Sequence, residues 1–122
     1  MNAVTRPRRE LASESGAGTV LAVSLLGALV LVTGVALFAV AVLAAQQGVQ
    51  NAADSAALAA ADTLSGRSVG YPCENAARAA RLNDASVTAC SSDNLIATVA
   101  VVRDWASLRL TAEARAGPPG SP

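Results

Sequence analysis

After Thr19 the chain runs to Ala45 without a charged side chain, and only Ser24 and Thr33 interrupt its apolar and glycine positions. About 20 apolar residues suffice to carry a helix across the hydrocarbon core of a bilayer, so the run is long enough to span one. The core helix of a soluble protein would show a polar stripe at a period of about 3.6 residues. No such stripe is present, and the two hydroxyls can bond back to carbonyls of their own helix. The pattern predicts a transmembrane helix over 16–45. Helical periodicity then continues: between Gln46 and Leu64 there is no Pro and a single Gly, and alanine, the strongest helix former, dominates. Here the helix turns amphipathic. Gln47, Asn51, Asp54, Ser55 and Asp62 gather on one side, and Val49, Ala52, Ala53, Ala56 and Ala60 on the other, which predicts a stalk helix over 46–66 with a narrow apolar face.

Ser65, Gly66, Gly70 and Pro72 break the helix. From Cys73 to Asp84 the period returns to helical, with Ala76, Ala77, Ala80 and Leu82 apolar and Arg78 and Arg81 on the solvated side. Ala85–Ala89 is a brief strand candidate, Leu95–Val102 is rich in β-branched residues, and Ala106–Arg115 alternates with period two. With Arg103, Asp104 and Trp105 as the connection, the last two strands are predicted to form an antiparallel hairpin. The expected fold class is a membrane-anchored α+β protein. Its expected divisions are a polar cytoplasmic tail over 1–15, the span over 16–45, the stalk over 46–66, a small α+β head over 67–116 and a disordered tail over 117–122.

Charge sets the orientation. Arg6, Arg8 and Arg9 precede the span and no basic residue follows it before Arg67, so the positive-inside rule predicts a cytoplasmic N-terminus and an extracytoplasmic head. On that side disulfides form and persist, and a Cys73–Cys90 bridge would stabilise a small head by about 3 kcal/mol; two free buried thiols are the alternative. Within the span, Gly27 and Gly34 lie on one face, where another helix can approach closely; the alternative is ordinary glycine usage, since Gly is common in membrane helices and a seven-residue spacing is weaker evidence than a repeated four-residue one. Trp105, the single Trp, is expected to cap the small core, with an interface anchor as the alternative. The formal net charge is zero and the basic residues are scattered, which argues against nucleic acid as a partner. The chain has no His, so Ser-His and Cys-His nucleophile pairs are excluded, and two Cys alone do not complete a tetrahedral zinc set. Asp54, Asp62, Asp84, Asp93 and Asp104 sit in polar contexts that suit solvated faces and turns. No enzymatic role, cofactor, metal or small-molecule substrate is expected.

The run Val49-Gln50-Asn51-Ala52-Ala53-Asp54-Ser55-Ala56-Ala57-Leu58-Ala59-Ala60-Ala61 resembles the LQNAADAAALAAA signature that follows the N-terminal membrane helix in TadE- and TadG-like proteins of tight-adherence (Flp) pilus systems. The junction Glu14-Ser15-Gly16-Ala17-Gly18-Thr19-Val20 is similar to the start of their membrane segment. The small size, the Cys pair and the ending Ala112–Pro118 look most like the short actinobacterial TadE-like proteins of pilus and secretion gene neighbourhoods. The resemblance implies a pilin-like layout and a structural role in a pilus or related secretion apparatus. It also implies the bilayer and other pilin-like or assembly subunits as partners. In that reading Gln50, Asn51, Ala52, Ala53, Asp54, Ala56, Ala57 and Ala60 form a helix-packing surface, expected to meet a helix of a related subunit, with folding onto the chain's own head as the competing arrangement. A prepilin-type cut would fall after Gly16 or Gly18, but the position five residues on is Leu21 or Val23, without the Glu of processed members. An uncleaved anchor, as in the TadG-like branch, is therefore preferred. The rival from another class is a small secreted protein released by cleavage near Ala39–Ala45, although a signal peptide's apolar region is normally only 7–15 residues.

Overall fold

A computed structural model describes residues 7–120, with side chains described from Gly16 onward. Its elements are α1 (Pro7–Leu64), α2 (Pro72–Leu82), β1 (Ser86–Asp93), β2 (Ile96–Trp105) and β3 (Leu108–Ala116). Helix α1 begins inside the stretch expected as a polar tail, while residues 1–6, with Arg6, lie outside the described residues. Its contacts divide it between two units, the first ending at Val40 and the second beginning at Ala41.

From Gly16 to Val40 α1 is apolar on every side. Each residue from Gly16 to Val40 is exposed, with Val20, Leu25, Leu31 and Phe38 all above 60 %. The Ser24 hydroxyl donates to the Val20 carbonyl oxygen at 2.7 Å, so the helix satisfies this polar group itself. The helix is long and apolar enough to cross a membrane, with a most apolar window of mean hydropathy 2.7.

The second unit is an α+β fold built on a helix-facing sheet. The strands lie in the order β1-β2-β3, all antiparallel. On β2, Ala97, Val99 and Val101 are buried on one face, opposite Ala116, Ala114 and Ala112 of β3. They join Ala45, Val49, Ala52, Ala53, Ala56, Ala57 and Ala60 of α1 and Ala76 and Ala80 of α2 in a single core. Its largest fully buried side chains are Val49, Val99 and Val101. With no bulkier side chain fully buried, the helices and sheet must approach closely to exclude water.

The strands run further than their hydrophobic pattern predicts. Arg103, Asp104 and Trp105, expected as a connection, continue β2 and pair with Leu110, Arg109 and Leu108, and the turn is made by Ala106 and Ser107 alone. Ala106 takes φ 52° there, and Asn94 takes φ 54° in the matching two-residue turn between Asp93 and Ile96. β1 extends to Asp93 because an edge strand with one solvated face can be built from polar residues.

The helix ends also have local causes. Gly66, at φ 77°, closes α1: Gly66 N–H donates to the Thr63 carbonyl and Arg67 N–H to that of Asp62. This is the double bond pattern of a left-handed helix stop. α2 ends the same way, except that the left-handed residue is Asp84 (φ 55°), with Asp84 N–H donating to the Arg81 carbonyl and Ala85 N–H to that of Ala80.

Candidate functional site: the alanine face of α1 and its polar margin

The residues singled out from the sequence divide cleanly by burial. Ala52, Ala53, Ala56 and Ala60 are fully buried and Ala57 is 1 % exposed, whereas Gln50, Asn51 and Asp54 are exposed. The alanine face, expected to meet a helix of another subunit, is instead filled by the protein's own sheet and by α2. The physical reason is spacing: alanines at successive turns present a surface low enough for β2's valines to reach the helix backbone.

The polar margin of that face has its own task. Gln46 Nε2 donates to the Thr111 carbonyl at 3.0 Å, and Gln50 Nε2 donates to the Glu113 carbonyl at 3.3 Å. Thr111 and Glu113 lie on β3, whose other edge pairs with β2, so the two amides occupy carbonyls on the free edge of the sheet. The spacings match, since four helical residues rise about 6 Å and two strand residues about 6.7 Å. Asp54 Oδ1 accepts a second contact from Gln50 Nε2 at 3.2 Å, which orients the amide. An edge strand offers unpaired groups to other chains, and this pair of glutamines blunts that offer.

A third cluster was not visible in the sequence. Arg103 lies on the helix-facing side of β2 and extends its guanidinium to the end of α2, where Nε donates to the Asp84 carbonyl at 3.2 Å and Nη2 donates to the Asn83 carbonyl. A cation at a helix C-terminus meets both orphan carbonyls and the negative end of the dipole. The route crosses α1 at Gly48, where a Cβ would lie 2.8 Å from Arg103 Nη1. The signal available in the sequence was the lone glycine in the alanine-rich stretch from Gln46 to Leu64.

Cys73, in the first turn of α2, is bonded to Cys90 on β1, with Cα atoms 5.9 Å apart. A bulge sets this up. Val87 pairs with Val101 and Cys90 with Val99, so two residues three apart both face the core side, and the register shift at Thr88 accounts for it. Gly16 and Gly18 are exposed on α1, where a Cβ would meet nothing within 4 Å beyond the adjacent helix backbone and its chain neighbours, and the same holds for Gly27 and Gly34.

An open trough lies between the end of α1, the following loop and α2, lined by Asp62, Arg67, Val69, Asn75, Arg78 and Leu82. Asn75 holds its loop, donating from Nδ2 to Thr63 Oγ1 at 2.8 Å and to the Val69 carbonyl at 3.0 Å. Val69 and Leu82 nevertheless remain 95 % and 82 % exposed. Asp62 faces Arg67 at 3.7 Å and Asp104 faces Arg109 at 4.0 Å, both exposed pairs of small energetic weight. What these groups can do is hold elements together and offer surface. Compared with family models, with curated proteins and with solved structures, the chain matches none of them.

Proposed function

We propose that the protein is a single-pass membrane component of a cell-envelope assembly, of the TadE/TadG-like kind that serves pilus or related secretion systems. α1 anchors it, its N-terminus is cytoplasmic, and the head lies outside the membrane. The observation that carries this reading is the contrast between the units. From Gly16 to Val40 α1 exposes apolar side chains all round, as a helix solvated by lipid does, while the head buries its own apolar face and has a disulfide suited to an oxidising compartment. The resemblance around Gln50–Ala61 supports the assembly role. Since the head's alanine face is occupied, contacts with other subunits fall to the anchor, where Gly27 and Gly34 leave room for a second helix, and to the open trough.

A secreted product is the second reading, favoured by one observation: the head's buried core begins at Ala45, so a cut before Ala41 would leave it intact. The N-terminus of the mature protein separates the two. An anchored protein keeps residues before Gly16, stays with the membrane on carbonate extraction and cross-links to envelope proteins. A soluble product starting near Ala41 would overturn anchoring.

A further inference from the structure

The hydrogen bonds of Gln46 and Gln50 fix the direction of β3 against α1. From Gln46 to Gln50 the helix advances, and their acceptors advance from Thr111 to Glu113, so β3 runs alongside α1 in the same direction. Going back from Thr111 to Leu108 retreats about 10 Å along the strand, equivalent to about seven helical residues before Gln46. The β2–β3 turn therefore lies at the Ala41 end of the head. Trp105 and Leu108 are paired across the turn and share the helix-facing side with Val101, Arg103 and Leu110. Trp105 packs against the core, and Val42 is half-buried while Ala41, Leu43 and Ala44 are exposed. Leu43 at 66 % and Leu108 at 42 % exposure leave an apolar rim at this end of the head, with Asp104 and Arg109 beside it and exposed.

We infer that the β2–β3 turn is a lipid-contacting foot, in which Trp105 and Leu108 sit at the boundary between headgroups and acyl chains of the bilayer that α1 spans. The inference rests on the anchoring proposed above. The apolar run of α1 continues to Ala45, so the helix segment beside the turn is the last part of the chain suited to a membrane surface. Trp is the side chain that favours this layer, because its ring is apolar and its N–H requires a polar partner. Arg109 has a reach that keeps its charge among headgroups while its stem covers apolar surface.

Trp105 is the only Trp, so its fluorescence reports on this place alone. The full chain is reconstituted into phosphatidylcholine–phosphatidylglycerol vesicles containing lipids that carry a nitroxide either near the headgroup or near the chain end. Quenching at least about twofold stronger from the headgroup-proximal nitroxide is expected, as for an interfacial side chain. Leu108→Asp, at an exposed position, should lower that quenching and raise quenching by aqueous acrylamide. Protein that floats with the vesicles but whose Trp105 is quenched only from water overturns the foot and leaves anchoring standing. Protein that does not float with vesicles overturns anchoring, and the foot with it.

Discussion

Single side chains in this protein do work that the apolar pattern does not announce. Gly48 is tolerated in the middle of α1, where alanine would be favoured by about 1 kcal/mol, because the Arg103 guanidinium passes 2.8 Å from where a Cβ would stand. A flexible arginine end usually yields to such an intrusion, but this one is held by the Asn83 and Asp84 carbonyls. Charge-assisted bonds of this kind contribute about 1.5–3 kcal/mol when well shielded, and less at a half-buried residue. Gly48→Ala is therefore expected to destabilise the head by about 1 kcal/mol, and the same change made in Arg103→Met to stabilise it by up to about 1 kcal/mol. Chemical denaturation of the detergent-solubilised chain, followed by Trp105 fluorescence, measures both arms of the cycle. Equal effects in the two backgrounds would mean that the glycine is not there for the arginine. Asp84 shows the same economy, since a left-handed helix stop usually taken by Gly is here taken by Asp and its carbonyl is used by Arg103.

At the level of elements, the lesson of α1 is that a small-residue face states how close a neighbour comes and not which neighbour it is. Ala52, Ala53, Ala56 and Ala60 were legible as a packing surface from their spacing alone. That the occupants are the protein's own sheet and α2 depends on pairings between residues far apart in sequence, which no local pattern encodes. Ala56→Leu tests the tightness of this layer: extra methylenes in a well-packed core cost about 1–3 kcal/mol, so the head should lose stability by that amount even in a preparation free of other subunits. Unchanged stability would show that the helix and sheet are loosely apposed. The strands were read with the right number and type but wrong ends. β1 looked short because Ser91, Ser92 and Asp93 are polar, and Arg103–Trp105 looked like a loop because two of the three are charged. Both runs belong to ladders whose backbone pairing continues after burial stops. The Gln46 and Gln50 contacts were equally hidden, since two exposed amides four apart read as an ordinary solvated margin until β3 is in place.

Taken whole, the molecule joins a helix that exposes apolar side chains on every side from Gly16 to Val40 to a head with a shallow core. The apolar run and its end near Ala45 were plain in the sequence because hydropathy is a local property, and so was the likelihood of needing a staple, because two Cys stood in a small unit. The geometry that makes the staple possible was not: it needs the bulge at Thr88 to turn Cys90 toward α2. The largest fully buried side chains are valines, and the rest of the core is mostly alanine, which buries about half the area of a leucine or less at roughly 25 cal/mol per Å². A head of this kind holds little margin against the conformational entropy of its loops. The bridge joins residues 17 apart, and closing a loop of that size removes about 3 kcal/mol of unfolded-state freedom. Cys90→Ser is expected to lower head stability by about that amount, while α1 between Gly16 and Val40, which shares no core with the bridge, keeps its helical signal in detergent. Thermal melts read by Trp105 fluorescence for the head and by far-ultraviolet circular dichroism for the helix separate the two. A head that melts at the same temperature with and without the bridge would place its stability in the alanine–valine layer alone, and a helical signal lost together with the head would show that the apolar part of α1 depends on the head for its fold.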